Sequence, residues 1–307
     1  ACSCLVAQQR LGGGENALIA GALLGRPLRR PVPVALAGLG AQAILRHQLR
    51  KPRRRLGAGV QAGIDRGRRG QLRFQPGQFL TLRATIDGSE VRRSYSICSP
   101  RHRYEQSGEL DVGIKPVDGG VFSPWALANL REGANIEVMP PDGRFTPRVP
   151  GARHRVGFAA GSGITPMLSI VASTLASQAD ASFTLVYGNQ RTNTIMFNEA
   201  LQDLKDKYPA RLTLIQLLSR QPQEVALLQG RLDQAKVTEL LQSLIPPASI
   251  DEAFICGPEG MIEAAQRALL AAGAALLAER PIDALTVDDI VNAAGVAKGS
   301  FYNHFAD

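Results

Sequence analysis

Residues 154–166 read HRVGFAAGSGITP. The first seven are mostly apolar and predict a buried strand over 154–160, and a helix is predicted from Pro166 to about Ser177. Between them, the glycines of Gly161-Ser162-Gly163 let the backbone approach a ligand closely, and the start of the helix offers unpaired N–H groups. The third glycine of a GxGxxG pattern is absent. This order of strand, glycine turn and helix predicts a cradle for a phosphate or a nicotinamide.

The alternation of strand and helix continues toward the C-terminus. Apolar, β-branched runs predict strands, and longer segments with an apolar stripe predict helices. The strands are expected at 183–187, 211–218 and 252–256, and the helices at 194–208, 234–244 and 259–272. Such alternation is typical of a doubly wound parallel sheet, so residues 151–273 are predicted to form an α/β domain that binds ligands at the carboxyl ends of its strands.

Upstream of this unit the pattern changes to short alternating strands. They are expected at 78–86, 91–98 and 108–115, with a shorter strand at 135–139. Asp87-Gly88 is a hairpin signal between the first two. The pattern predicts a small antiparallel β-barrel over residues 73–150. The sequence before Phe74 supplies no further strand convincingly.

The second predicted strand of the barrel contains Arg93-Ser94-Tyr95-Ser96-Ile97. Arg93, Tyr95 and Ile97 share one face of this strand. A guanidinium can form a fork to a pyrophosphate, a tyrosine ring can lie on a flat heterocycle, and Ser96 can offer a hydroxyl or an N–H to a ring nitrogen. The alternative is an ordinary edge strand with one exposed arginine.

Two further turns have chemistry of the same kind. GGVFS at 119–123 follows a predicted strand, and its glycines and the helix after it suit a phosphate, with Ser123 as the helix cap. CGPE at 256–259 stands at the end of a strand, where the Cys256 thiol would face the ligand crevice. The alternatives are a plain turn and a buried structural cysteine.

These four motifs, in this order, resemble the ferredoxin–NADP reductase superfamily, and within it the reductase components of phenylacetyl-CoA epoxidase and related oxygenases. The resemblance covers about residues 73–273. It implies an FAD-binding β-barrel followed by an NAD(P)-binding α/β domain. It also implies an FAD-dependent NAD(P)H reductase that passes electrons to an iron–sulfur protein or an oxygenase.

The resemblance implies a role for each motif. On the flavin side, Arg93 would bind the pyrophosphate, Tyr95 would stack on the ring system and Ser96 would lie near the reactive nitrogen. Further FAD contacts would come from Ile97, Lys115, Gly119, Gly120 and Ser123. The nicotinamide dinucleotide would be held by Gly161, Gly163, Thr165 and Pro166. Cys256 and Glu259 would flank the hydride-transfer site, next to Gly257 and Pro258.

Other residues indicate which electron donor the protein uses and where its electrons go. Ser219-Arg220 follows the third strand of the α/β domain, where relatives that use NADP meet the 2′-phosphate, so NADPH is expected rather than NADH. Gln190 stands where an arginine is often seen. The four cysteines, Cys2, Cys4, Cys98 and Cys256, form no metal-ligand spacing, so no metal is predicted and the electrons must leave to another protein. Reduced thiols favour a cytoplasmic location.

Residues 1–72 differ in composition from the rest of the chain. They lack Phe, Tyr and Trp and carry the basic excess behind the net charge of +8. Aromatic-free, β-branched-poor sequence is a poor strand and core former. Three interpretations remain open: a disordered or loosely helical tail, an arm for a membrane surface or nucleic acid, or non-native coding sequence. The apolar runs are too short and too often broken by Pro and Gly to cross a bilayer, so no membrane partner is expected.

Residues 274–307 change pattern again, to helix, short glycine turn and helix. AAGVAKGSFYNHF at 293–305 resembles the DNA-binding helix-turn-helix of tetracycline-repressor-type regulators. The resemblance implies that Thr286 caps a helix and that Lys298, Ser300, Tyr302 and His304 face DNA. It leaves two alternatives to a reductase. The first is a DNA-binding regulator fused to a redox module. The second is a chimeric chain of impaired activity, in which a truncated regulator fragment is joined near residues 271–275.

Overall fold

The computed structural model describes residues 3–8, 58–63, 72–130 and 134–278 of the chain. The strands in these ranges are β1 Ser3–Gln8, β2 Ala58–Gly63, β3 Phe79–Ile86, β4 Ser89–Ser96, β5 Glu109–Ile114, β6 Glu137–Val138, β7 His154–Ala160, β8 Ser182–Asn189, β9 Leu212–Leu218 and β10 Glu252–Gly257. The helices are α1 Arg101–Ser107, α2 Phe122–Asn129, α3 Ile164–Ser177, α4 Asn198–Lys207, α5 Gln234–Ser243 and α6 Glu259–Ala278.

An antiparallel β-structure forms the first half of the described chain. β3 pairs with β4 along its whole length and with β6 on its other side, while β5 pairs with β2. The turn between β3 and β4 has Asp87 at φ 49° and Gly88 at φ 78°, a pair of left-handed residues that matches the twist of a two-residue hairpin. An isolated bridge between Ile97 and Val112 joins the two sheets. The predicted barrel and its hairpin are confirmed.

The β-structure closes around one apolar core. Alternate residues of β3, Leu80, Leu82 and Ile86, are buried together with alternate residues of β5 and with Phe122 of α2. Strand alternation therefore places the side chains of one face inside and leaves the other face to the solvent and to ligands. Arg93 and Ser94 of β4 are exposed on this framework.

The second half is a five-stranded sheet with the order β1-β10-β7-β8-β9. The pairs β10–β7, β7–β8 and β8–β9 are parallel, as predicted, and β1 is antiparallel at the edge. The predicted α/β domain is confirmed. In such a sheet the carboxyl ends of the parallel strands lie together, which brings 160–163, 189–190, 219–220 and 256–259 to one edge.

The helices differ from the predictions in three places. α4 begins at Asn198 instead of 194, because Thr192–Thr194 forms a 3-10 turn and Phe197 has a left-handed φ of 57°. α1 was not predicted, since Tyr104 is its one buried residue and it has no apolar stripe. α6 continues without a break to Ala278, so the two helices expected at 259–272 and from 274 form one helix.

The expectation that residues 1–72 do not form strands is wrong for two segments. β1 pairs with β10 and β2 pairs with β5, so the second of these supplies a barrel strand that the sequence did not indicate. An open sheet edge offers unpaired backbone groups, and a segment can bond to them without aromatic side chains. Residues 9–57 and 64–71 lie outside the described residues. The structure therefore does not distinguish between the three interpretations of this segment.

Within the described part of the chain, no helix combines the length and the apolar composition that a bilayer crossing needs. The same part of the chain contains no group of three or more His, Cys, Asp or Glu side chains that could hold a metal ion.

Candidate functional site

Arg93 differs from the neighbouring arginines of the β3–β4 hairpin in its partners. Arg83 pairs with Glu90 and Glu137, and Arg92 pairs with Glu90 at 2.7 Å. The guanidinium of Arg93 is exposed and donates to the carbonyl oxygen of Arg92 at 2.7 Å, and no carboxylate of the described residues forms an ion pair with it. Arg93 is therefore the arginine of this hairpin whose charge is available to an anionic ligand.

Tyr95 presents a half-buried ring two residues further along β4. Its centroid lies 5.7 Å from the ring of Phe122, which in turn lies 5.6 Å from the ring of Trp125. Burial raises the pKa of the Tyr95 phenol, and the charge of Arg93 opposes that shift. The side chain is thus a neutral aromatic surface held from behind by Phe122, which suits stacking on a flat heterocycle.

Ser96 and Ile97 stand at the end of this strand in different environments. Ser96 is half-buried and pairs with Phe79 of β3. The Ile97 side chain is completely buried in the barrel core, and its N–H donates to the carbonyl oxygen of Gln78 at 2.9 Å. The side chain and the N–H of Ile97 are therefore committed to the fold, which corrects the expectation that its side chain shares the ligand-facing surface with Arg93.

The turn before α2 is held by a serine that was expected to cap the helix. The N-cap is Val121, without a side-chain cap bond. Ser123 is instead buried, and its Oγ accepts the N–H of Val117 at 3.1 Å. Gly119 has a φ of 69°, and the N–H of Gly120 donates to the carbonyl oxygen of Val117 at 2.9 Å. Ser123 thus shapes the glycine turn, and Lys115 is exposed just ahead of it.

The turn Gly161–Gly163 is pressed against the end of β10. It is a 3-10 turn, with Gly161 at φ 55°. The Thr165 Oγ1 donates to the Ser162 carbonyl oxygen at 2.8 Å, and the Tyr187 hydroxyl donates to the Gly161 carbonyl oxygen at 2.9 Å. A Cβ atom on Gly163 would stand 1.9 Å from the carbonyl oxygen of Cys256. Glycine is therefore required at 163, and Pro166 is buried in the first turn of α3 behind it.

The CGPE segment has one buried and one open side. Cys256 is 0% exposed within the apolar core, so its thiol does not line an open crevice as expected. A Cβ on Gly257 would meet the flexible end of the Met261 side chain, Cε, at 2.4 Å and the Ala160 backbone nitrogen at 3.3 Å. Pro258 and Glu259 are exposed at the start of α6.

The ends of β8 and β9 are bonded to each other. The N–H of Ser219 donates to the Asn189 carbonyl oxygen and the N–H of Arg220 donates to the Gln190 carbonyl oxygen, both at 2.9 Å. The Arg220 side chain is exposed at this edge. The structure thus brings Ser219-Arg220 to the same edge of the sheet as the Gly161–Gly163 turn, as parallel strands require.

Sequence reasoning did not select Asn189, which also lies at this edge. Its side-chain nitrogen Nδ2 is buried and has no acceptor of good geometry among the described residues. Burial raises the pKa of the Tyr187 phenol, and the contacts of its hydroxyl with the Met196 backbone and with the Asn189 amide oppose that shift. A buried donor without an acceptor is costly unless a ligand completes it. The position of Asn189 at the end of β8 was the signal for it in the sequence.

These features fit two cofactors. Arg93 without a carboxylate partner and the supported ring of Tyr95 fit the pyrophosphate and the ring system of FAD. Gly161, with its left-handed φ and nothing within 4 Å of the position of a Cβ, and the buried amide of Asn189 at the neighbouring strand end fit a pyridine dinucleotide at the edge of the sheet. The residues expected to contact DNA, Lys298, Ser300, Tyr302 and His304, lie outside the described residues.

Comparisons with known families divide the chain in the same way. Residues 66–146 match the family described as "Oxidoreductase FAD-binding domain", and residues 158–267 match "Oxidoreductase NAD-binding domain". Residues 269–307 match "Bacterial regulatory proteins, tetR family". The last two matches meet inside the continuous helix α6.

Two similar proteins are named as a subunit of an epoxidase and as the ferredoxin reductase component of a monooxygenase. The chain is 47% identical over 203 residues to a subunit of the 1,2-phenylacetyl-CoA epoxidase of Escherichia coli, and the match covers 66% of this chain and 56% of the relative. It is 38% identical over 216 residues to the ferredoxin reductase component of 3-ketosteroid-9-alpha-monooxygenase of Mycolicibacterium smegmatis, covering 70% of this chain and 55% of the relative. The chain therefore spans little more than half the length of these two proteins.

The fold is shared with a solved reductase. The ferredoxin NADP+ reductase from Neisseria gonorrhoeae with bound FAD and NADP superimposes with a TM-score of 0.57 at 21% identity, covering 71% of this chain and 86% of that one. At this level of identity the likeness concerns the fold alone.

Proposed function

Because the chain belongs to the ferredoxin–NADP reductase superfamily through its FAD-binding and NAD-binding domains, we propose that it is an FAD-dependent reductase. It would take hydride from NADPH or NADH and deliver electrons singly to an iron–sulfur protein or an oxygenase. The bound flavin supplies the conversion between two-electron and one-electron chemistry. The proposal rests on one observation. Arg93 lies beside the ring of Tyr95, and it is the one arginine of the β3–β4 hairpin that forms no ion pair with a carboxylate of the described residues.

The chain's own residues bind and orient the flavin in this proposal. Arg93 holds the pyrophosphate, Tyr95 covers the ring system, and Ser96 lies near the reactive nitrogen. Gly119, Gly120 and the turn that Ser123 shapes hold the phosphates, with Lys115 at their edge. Because the Phe122 ring backs Tyr95, the stacking surface is formed before the cofactor arrives, which lowers the cost of ordering it on binding.

The dinucleotide is held at the carboxyl edge of the parallel sheet. The turn at Gly161 and Gly163 and the start of α3 at Thr165 seat it through backbone N–H groups, and Pro166, which has no N–H, fixes the first turn of that helix. Cys256-Gly257-Pro258 and Glu259 flank the site of hydride transfer. The buried Cys256 shapes this site from behind and excludes water from it.

The proposal predicts how Arg93→Ala changes cofactor retention. We expect the variant to lose about tenfold to a hundredfold in FAD affinity, because a charge-assisted bond to the pyrophosphate contributes about 1.5–3 kcal/mol. The matched control is Arg92→Ala, since Arg92 is already paired with Glu90. The measurement is titration of apoprotein with FAD, followed by reduction with NADPH and a dye acceptor. A wild-type protein that takes up no FAD would refute the function, and equal FAD affinity in the two variants would refute the role of Arg93.

The choice of NADPH over NADH belongs to the same proposal. The exposed Arg220, next to Ser219 at the end of β9, offers a cation for a 2′-phosphate. Arg220→Ala is expected to raise the KM for NADPH about tenfold, the equivalent of about 1.4 kcal/mol, while leaving the KM for NADH within twofold. NADH acts as the internal control, because it lacks that phosphate. Equal losses with both donors would contradict this assignment.

The electron acceptor is inferred from the similar proteins, and the cellular compartment is inferred from the free cysteines. The similar proteins are named as components of oxygenase systems, which supports an iron–sulfur or oxygenase partner. We further propose a cytoplasmic location, because Cys98 and Cys256 carry reduced thiols within the described residues.

DNA binding is a second candidate function, favoured by the match of residues 269–307 to the tetR family. A chain with both activities would bind duplex DNA in a salt-sensitive way through Lys298, Ser300, Tyr302 and His304. Binding measured at two salt concentrations, with and without residues 279–307, tests this candidate. Binding that survives the truncation would show that residues 279–307 are not the DNA-binding segment.

A third hypothesis is that the chain is a chimera with impaired activity. It predicts a protein that neither retains FAD nor binds DNA.

A further inference from the structure

Three hydroxyl side chains form a stripe along α3. Thr165, Ser169 and Ser173 follow each other at four-residue spacing, which places them on one face of a helix, and all three are buried. α3 begins at the glycine turn proposed to seat the dinucleotide. Among the contacts of this face are residues of the FAD-binding domain, so the stripe lies on the seam between the two domains.

Two hydrogen bonds cross this seam from the stripe. The Ser169 Oγ donates to the Ser99 carbonyl oxygen at 2.7 Å, and the Ser173 Oγ accepts the N–H of Arg101 at 3.0 Å. Ser99 and Arg101 lie in the segment that leaves β4, the strand with Arg93 and Tyr95. Both bonds join a side chain of α3 to backbone atoms, so their geometry is set by the path of the chain after β4.

The segment after β4 is itself bonded to the barrel. The Ser99 Oγ accepts the N–H of Asp111 in β5 at 2.9 Å, and the N–H of Cys98 donates to the Asp111 carbonyl oxygen at 2.8 Å. Ser99 therefore bonds to β5 through its side chain and to α3 through its carbonyl group. A displacement of α3 at Ser169 is transmitted directly to the framework that carries the proposed flavin strand.

Thr165, the first residue of the stripe, packs so closely against Gly113 of β5 that a side chain at position 113 would not fit. A Cβ on Gly113 of β5 would stand 2.6 Å from Thr165 Cγ2 and 2.9 Å from the ring of Phe197. The backbone of the barrel strand thus rests on the first turn of α3. The glycine contact limits how closely the two domains approach, and the two serine bonds limit how far they separate.

We propose that Ser169 and Ser173 are positioning residues that hold the dinucleotide turn at a fixed distance from the flavin strand. This inference rests on the proposed reductase function. Hydride transfer requires reacting atoms about 3–3.5 Å apart, and a misplacement of about 1 Å can cost about a hundredfold in rate. Because a helix moves as one body, a constraint at Ser169 and Ser173 also fixes Gly161–Thr165, one to three turns away.

The test compares Ser169→Ala/Ser173→Ala with Ser177→Ala. Ser177 continues the same stripe, but it is exposed and its Oγ bonds to the Ser173 carbonyl oxygen within α3 at 2.8 Å. In the double variant we expect FAD content and NADP+ affinity within twofold of the wild type. The single-turnover rate of flavin reduction by NADPH should fall at least about tenfold, because distance and not binding has changed. The control should keep the wild-type rate.

A second readout does not depend on catalysis. The Arg101 amide donates to Ser173, so its hydrogen exchange should be at least about tenfold faster in Ser173→Ala and unchanged in Ser177→Ala. If the double variant does not fold, the single variants are judged by the same two measurements.

The outcomes separate the inference from the function on which it rests. A wild-type protein that is not reduced by NADPH or NADH refutes the function, and the inference falls with it. A wild-type protein that is reduced, together with FAD-loaded variants that are reduced equally fast, overturns the inference alone. Slower reduction accompanied by an equal loss of NADP+ affinity also overturns it, since the serines would then act on binding.

Discussion

Gly163→Ala is expected to lower the free energy of unfolding by about 3 kcal/mol or more, at the upper end of what overpacking costs. The added Cβ would stand 1.9 Å from the Cys256 carbonyl oxygen and 2.5 Å from its carbonyl carbon. These are backbone atoms of β10, which pairs with the central strand β7 of the sheet. Because they are backbone atoms, a change of side-chain rotamer cannot relieve the contact. The start of α3 or the end of β10 must move.

The consequence for function follows from the same displacement. Gly161–Gly163 is the turn proposed to seat the dinucleotide, so the shift should weaken NADP+ binding while the barrel with Arg93 keeps its FAD. Urea unfolding and NADP+ titration measure the two effects. Gly260→Ala is the matched control, because nothing lies within 4 Å of its added Cβ and alanine favours α6 by about 1 kcal/mol over glycine. Equal stability of the two variants would mean that the contact between α3 and β10 is looser than the structure indicates.

Glu252→Gln should destabilise the α/β domain by about 3–5 kcal/mol, because it leaves the charge of Arg155 buried without its counter-ion. Arg155 and Glu252 are 1% and 0% exposed on the adjacent strands β7 and β10, with Nε and Oε2 2.9 Å apart. The second carboxylate oxygen, Oε1, accepts the N–H of Arg148 at 2.6 Å. The guanidinium also donates to the Val149 carbonyl oxygen at 3.0 Å and to Gln178 Oε1 at 2.6 Å.

This buried network has a specific place in the fold. Arg148 and Val149 belong to the segment that leads from the FAD-binding domain into β7, so the ion pair fastens that connection to the amino end of the parallel sheet. The edge of the sheet proposed to bind the dinucleotide lies at the opposite, carboxyl end. We therefore expect Glu252→Gln to reduce stability without changing the preference between NADPH and NADH.

The same substitution at an exposed ion pair is the control for Glu252→Gln. Glu105 pairs with Arg101 at 2.7 Å on α1, with about half of each side chain exposed. Glu105→Gln should change the free energy of unfolding by about 0–1 kcal/mol, since solvent screens such pairs. Urea unfolding of both variants in one buffer makes the comparison. A loss below about 1 kcal/mol for Glu252→Gln would show that a neutral amide satisfies Arg155 as well as the carboxylate does.

Much of the candidate site follows from patterns that are local in the sequence. The glycine turn after β7, the left-handed pair Asp87-Gly88 and the position of Arg93 on an exposed face depend on neighbouring residues alone. Periodicity could not find α1, because its buried surface is one tyrosine, nor β2, because its pairing comes from the open edge of β5. For Asn189 the sequence offered only its position at the end of β8, since the burial of its Nδ2 is a property of the folded chain.

By itself, the sequence determined the two-domain order, the alternation of strands and helices, and the glycines that a close approach requires, because each depends on local dihedral preferences and on short-range periodicity. The tertiary structure alone decided which serines of α3 reach the barrel and which charge of the sheet is buried. Ser99 and Ser169 are 70 residues apart, and Arg155 and Glu252 are 97 residues apart. Contacts of that separation arise when whole elements pack, and no pattern within either segment encodes the partner.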